Sequence, residues 1–159
     1  MPELIMVCGP NGAGQSTFTR TLAARLNIIC IDTDAFAANG LSPLAAGKAS
    51  ARMARELLRQ GISFARESTL TAHFDFQIME EAKSAGYVIR LVYIRLASYE
   101  DALRRVKNRV QKGGHDVPVD DIIRRFSRSL ANLPRAIALA DSHIILDNTG
   151  KTYVLVSRG

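Results

Sequence analysis

Short apolar runs bounded by turn residues alternate along this chain with longer segments in which apolar residues recur every three to four positions. That alternation predicts a mostly parallel sheet covered on both faces by helices, an α/β fold in three layers. Leu4 to Cys8 reads as the first strand and Ser16 to Leu26 as the helix after it. Asn27 to Ile31 is a short second strand, followed by a loop over 32–41. Ser42 before Pro43 is an N-cap followed by an N1 proline, and the helix it opens runs to about Gln60, just before Gly61. Ile62 to Ala65 reads as the third strand, Phe74 to Ala85 as a helix and Tyr87 to Leu96 as the longest strand. Ser98 with Asp101 resembles a capping box for the next helix, which fades at Lys112-Gly113-Gly114 before Pro118 starts another. Ile144 to Leu146 is the last core strand, and Tyr153 to Val156 adds an antiparallel edge after the Asn148-Thr149-Gly150 turn.

The chain has 159 residues, 47% of them hydrophobic, which predicts one domain, 1–159, and argues against disorder. No apolar run approaches the roughly 18 residues a helix needs to cross lipid, and the first strand begins almost at once, leaving no room for a signal peptide. Cys8 and Cys30 lie in apolar runs, so a disulfide framework is not expected and a reducing cytoplasm is. The formal charge of +6 sits wholly in the second half: residues 1–87 carry eight basic and eight acidic side chains, residues 88–159 thirteen and seven. Nucleic acid is one reading of that excess. The chain has no Trp, and its arginines are not interleaved with the aromatic residues that base stacking uses, so a small polyanionic ligand is favoured over nucleic acid.

Directly after the first strand stands Gly9-Pro10-Asn11-Gly12-Ala13-Gly14-Gln15-Ser16-Thr17, which matches the phosphate-binding loop at every defined position except one. Glycines at this spacing let consecutive backbone N–H groups converge on phosphate oxygens at a helix N-terminus. Gly9, Asn11, Gly12, Ala13, Gly14, Gln15, Ser16 and Thr17 are therefore the expected nucleotide cradle, with Ser16 the magnesium ligand. Gln15 occupies the position of the lysine whose charge balances the transferring phosphate. A neutral amide hydrogen-bonds there without supplying that charge, so nucleotide binding survives while phosphoryl transfer suffers.

Ile31-Asp32-Thr33-Asp34 puts two carboxylates at the carboxyl end of the second strand, where open α/β sheets bind ligands. Spaced by two, they point the same way if the strand continues. One could accept the proton from an attacking hydroxyl while the other orients magnesium-bound water; Asp34 is the stronger functional candidate, and Asp32 either contacts substrate or caps the turn. Glu67, Ser68 and Thr69 occupy the corresponding end of the third strand and are candidates for substrate hydroxyls. After Pro118, apolar residues fall on one helix face and Arg124, Arg125 and Arg128 on the other, with Asp121 placed to pair with one of them. Arg104, Arg105 and Arg109 form a similar stripe on the preceding helix. With Gly113-Gly114-His115 between them, the two helices read as a lid over about 104–131 that brings arginines onto phosphates. His73, His115 and His143 show no metal-ligand spacing.

Taken in order, these segments resemble the zeta-toxin family of P-loop kinases. The loop, Ile31-Asp32-Thr33-Asp34, Glu67-Ser68-Thr69-Leu70, Arg105-Val106, Arg109-Val110, Gly113-Gly114-His115-Asp116-Val117-Pro118, Arg124-Arg125-Phe126, Ser129-Leu130-Ala131-Asn132-Leu133 and Asp147-Asn148 carry the likeness over nearly the whole chain. The resemblance implies a P-loop NTPase fold, with a five-strand core of order 2-3-1-4-5, and ATP with Mg²⁺ as cofactors. It implies phosphorylation of a small-molecule hydroxyl, of the UDP-amino sugar type, and a possible antitoxin protein partner. By position, Asp34 would be the base, Glu67 a substrate contact, Arg105 and Arg124 nucleotide contacts, and Gln15, Arg109, Arg125 and Arg128 would stand where transfer takes place. A nucleotide-binding pseudokinase acting through a protein partner is the alternative that Gln15 keeps open.

Overall fold

The computed structural model describes all 159 residues. Its frame is a six-stranded sheet of order β2-β3-β1-β4-β5-β6. The strands are β1 (Glu3–Cys8), β2 (Ile29–Ile31), β3 (Phe64–Ser68), β4 (Val88–Arg95), β5 (Ser142–Asp147) and β6 (Val154–Arg158). The first five are parallel in the expected order 2-3-1-4-5, and β6 closes the edge antiparallel to β5. The six helices are α1 (Gln15–Leu26), α2 (Thr33–Ala38), α3 (Pro43–Gln60), α4 (His73–Ser84), α5 (Tyr99–Gln111) and α6 (Val119–Leu139).

β1 explains itself through burial on both sides. Leu4, Met6 and Cys8 belong to one apolar cluster, with Leu57 and Leu58 of α3 and Phe76 and Met79 of α4. Ile5 and Val7 belong to the cluster on the opposite face, with Ala102 and Val106 of α5 and Ile122 of α6. A strand covered twice is apolar at every position rather than alternately, which is what its sequence shows. It lies between β3 and β4, so the loop leaving its carboxyl end opens at the middle of the sheet.

Two local readings change. The segment after β2 is not a loop: the chain turns into α2 at Thr33, because the Asp32 carboxylate accepts the Asp34 N–H at 2.9 Å as an N-cap. The strand therefore does not continue, and Asp32 and Asp34 are a cap and a first-turn residue rather than neighbours on one strand face. The third strand lies two to three residues later than its apolar run suggested. Its last part is charged, yet Arg66 is only 4% exposed. Its guanidinium pairs with Asp75 at 2.5 Å and sits 4.9 Å from the Phe74 ring centroid, so α4 supplies the partners that make an arginine tolerable inside.

The two helices expected to form a lid are anchored to the sheet. Ala102, Val106, Val117 and Ile122 are buried, and the Tyr93 hydroxyl shares a 2.8 Å hydrogen bond with Ser129 of α6. What stands clear of the core between the helices is the exposed run 111–116. No helix is long and apolar enough to cross a membrane.

Candidate active site

The loop from Gly9 to Gly14 leaves β1 and turns directly into α1. Gly14 precedes the helix with φ of 96°, a left-handed conformation that a side chain would oppose. Its opposite face is crowded as well: a Cβ there would lie 2.7 Å from Asn148 Nδ2 and 3.1 Å from Tyr153 Oη. The Ala13 N–H closes a turn onto Pro10 O at 3.1 Å, and the Gly9 N–H donates to Ser68 O at 3.2 Å. The N–H groups of Asn11, Gly12, Gly14, Gln15, Ser16 and Thr17 donate to no acceptor within the protein. A row of free donors at the N-terminus of a twelve-residue helix is a cradle for phosphate oxygens. Asn11 is buried beside it, with Oδ1 lacking any donor.

Gln15 does not reach into the cradle. Its side-chain amide donates to Gly9 O at 2.5 Å and to Ser68 O at 3.4 Å, tying the two ends of the loop to the end of β3. Ser16, one residue on, donates its hydroxyl hydrogen to Glu67 Oε2 at 2.9 Å. Glu67 therefore stands beside the residue expected to bind magnesium. Ser68 serves through its carbonyl and through a hydroxyl that accepts the Leu70 N–H at 2.8 Å; Thr69 bonds Thr71. Asp34 is exposed at the start of α2, on the same rim.

The acidic side of the site is electrostatically strained. Burial, reinforced by the charge of Asp32, raises the pKa of Glu67 despite the opposing bonds from Ser16 and Thr19. Burial and the charge of Asp34 raise that of Asp32. Burial, with Glu67 and Asp32 adding to it, pushes the Cys30 thiol up to about 12, so it is an inert neighbour. No three His, Cys, Asp or Glu side chains are arranged to hold a metal unaided. Ser16 with Glu67 suits Mg²⁺ delivered with nucleotide, since that ion keeps waters and takes few protein ligands.

The arginines divide. Arg104 pairs with Asp101, and Arg124 with Asp121 at 2.7 Å. Arg105, expected on nucleotide phosphates, turns its guanidinium onto the carbonyls of Asn148, Thr149 and Gly150. Arg109 donates through Nε to His115 O at 2.9 Å, while its Nη2 is buried without an acceptor. Arg125 and Arg128 form no ion pair. The loop Arg105 grips makes two contacts the sequence did not signal. Asn148 Nδ2 donates to Ala13 O at 2.8 Å, and Tyr153 Oη donates to Gly14 O at 2.9 Å. Only the Asp147-Asn148 turn hinted that this stretch lies near the site.

Residues 4–134 match the AAA domain family model. The chain belongs to that family. An uncharacterised protein of Haemophilus influenzae is 33% identical to this AAA domain chain over 130 residues, spanning 78% of it and 92% of that protein. Three solved structures show the fold. A chain from the PezAT chromosomal toxin–antitoxin system of Streptococcus pneumoniae superposes with a TM-score of 0.70 at 18% identity, covering 99% of this chain and 72% of its own. The AvrRxo1-ORF1:ORF2 complex with ATP gives 0.73 at 18%, covering 99% and 58%. A gluconokinase from Sinorhizobium meliloti gives 0.55 at 16%, covering 94% and 84%. The AAA domain chain thus has the α/β P-loop fold that these three structures share, as the likeness to zeta toxins implied.

Proposed function

We propose that this protein is a nucleotide-binding phosphotransferase of zeta-toxin type, passing the terminal phosphoryl group of ATP to a hydroxyl of a small substrate. The observation that carries the reading is the set of unengaged N–H groups of Asn11, Gly12, Gly14, Gln15, Ser16 and Thr17, opening beside the Ser16–Glu67 bond. Bound ATP with magnesium supplies the phosphoryl group and offsets part of its charge. The chain does the rest. The free N–H groups bind phosphate oxygens, Ser16 and Glu67 hold the metal or its waters, and exposed Asp34 takes the proton from the attacking hydroxyl. Arg125 and Arg128, free of ion pairs, are available to anionic groups of either reactant. A sugar nucleotide of the UDP-amino sugar type is the acceptor this reading favours, because such a substrate brings both a hydroxyl and phosphates.

A second reading has its own observation. The Gln15 amide is committed to Gly9 O and Ser68 O, so position 15 holds the loop together rather than meeting phosphate. A protein that binds nucleotide and turns it over slowly, acting through a partner such as an antitoxin, would look like this.

One experiment separates the two. The natural chain and Gln15→Lys are incubated with ATP, Mg²⁺ and a metabolite extract, and products are read by mass spectrometry. Restoring the charge is expected to raise transfer by about a hundredfold or more, the scale for one charge-stabilising group. Nucleotide affinity should change much less. A metabolite gaining one phosphoryl group with Gln15→Lys supports the kinase; binding without turnover in both forms supports the partner-directed reading.

A further inference from the structure

Across a trans peptide bond the C=O and the following N–H point in opposite directions. Fixing one therefore aims the other. The Ala13 carbonyl is held by Asn148 Nδ2 at 2.8 Å, which turns the Gly14 N–H the other way. The Gly14 carbonyl is held by Tyr153 Oη at 2.9 Å and also accepts the Phe18 N–H at 3.2 Å, which turns the Gln15 N–H the other way. Neither N–H has an acceptor in the protein.

We propose that Asn148 and Tyr153 are positioning residues for bound polyphosphate: from outside the loop they lock two consecutive peptide planes so that the Gly14 and Gln15 N–H groups face phosphate before it arrives. The inference rests on the reading of this loop as a nucleotide cradle and adds how the cradle is preset.

The clamp is itself secured. Asn148 is 8% exposed and its backbone N–H donates to Arg95 O at 3.1 Å. Arg105 grips the carbonyls of Asn148, Thr149 and Gly150. The Tyr153 ring meets Phe18 of α1 edge-on, centroids 5.7 Å apart. Arg105, placed by sequence on the nucleotide, acts here through Asn148 instead. Gly14 completes the logic, because any Cβ at that position would push into both clamp atoms. Without Asn148 the Ala13–Gly14 peptide plane would have no hydrogen bond to hold it, and ordering it would count against ligand affinity.

The test uses the whole chain, Tyr153→Phe, Asn148→Ala and the double variant, with magnesium pyrophosphate as probe. Tyr153→Phe keeps the ring on Phe18, so its fold is not at issue even if Asn148→Ala folds poorly. Calorimetry should show pyrophosphate affinity falling about tenfold for Tyr153→Phe, as for one hydrogen bond's worth of preorganisation, and further for the double variant. In two-dimensional amide NMR, Gly14 and Gln15 should move on titration in the natural chain, and already differ in ligand-free Tyr153→Phe. Equal affinities with unmoved Gly14 and Gln15 amides in the variants would overturn the positioning role alone. Pyrophosphate that shifts no loop amide of the natural chain would overturn the nucleotide reading, and the clamp's purpose with it.

Discussion

Ser16 and Glu67, 51 positions apart, meet where α1 begins and β3 ends, hydroxyl to carboxylate at 2.9 Å. The same Glu67 lies 3.9 Å from the Cys30 thiol and feels the charge of Asp32. It is a carboxylate kept near other acids, with the Ser16 hydroxyl donating to it.

That arrangement has a definite pH signature. The pKa of Glu67 is raised above its ordinary 4.5 by burial first and Asp32 second. A raised folded value means the folded chain holds the proton more tightly than the unfolded one. The stabilisation is therefore complete below 4.5 and is lost as pH climbs through the folded value. Glu67→Gln should melt at least about 2 °C higher than the natural chain at pH 7 without metal, and show no such gain at pH 4. Thermal melts at the two pH values, in chelator, check this; a variant less stable at pH 7 would refute it.

The two aspartates should separate cleanly. Asp32 caps α2, and Asp32→Ala should cost about 1 kcal/mol of stability, the usual value of such a cap. Asp34 is exposed and caps nothing, so Asp34→Asn should leave stability unchanged and remove transfer in the Gln15→Lys background. Denaturant melts and product assays on both variants decide it. The assignment fails if Asp32→Asn is the more damaging to transfer.

Arg66 and Asp75 offer a stability test independent of function. Both are buried, at 5% and 2% side-chain exposure. Asp75→Ala strands a guanidinium in the core and should cost about 3 kcal/mol or more. Replacing both by apolar residues, Arg66→Met with Asp75→Leu, should recover much of that loss. A double variant as unstable as the single one would show that Phe74 stacking and the Asp75 bond to the Ala72 N–H matter more than the unpaired charge.

Arg125 and Arg128 should behave unlike Arg124. Since Arg124 is tied to Asp121, Arg124→Ala should do little to ATP affinity or turnover. Arg125→Ala and Arg128→Ala, in the Gln15→Lys background, should lower turnover more than nucleotide affinity, because the charge they meet grows during transfer. Steady-state kinetics beside calorimetry distinguishes these outcomes.

What the sequence disclosed depended on how local the physical cause was. The cradle was legible because a left-handed Gly14 and a strand-to-helix turn impose their own spacing on the chain. The parallel character of the core followed from which runs were apolar throughout, whereas its order came with the resemblance to zeta toxins. The helix α2 was missed although its cap and its alanines were in view, because six residues give too short a period to read. The end of β3 was missed because Arg66 and Glu67 look like surface residues until Asp75, Phe74 and Ser16 are brought to them. The roles of Asn148 and Tyr153 were not legible beyond the hint of the Asp147-Asn148 turn: their acceptors are backbone carbonyls, which every residue has.

The clamp links the first loop of the chain to residues 135 and 139 positions later. On the ribosome, the glycine-rich turn is therefore finished long before the side chains that set it. A nascent chain carries an unset hinge at Gly14 until the turn after β5 has emerged, and with it a built-in delay between making the phosphate loop and being able to use it.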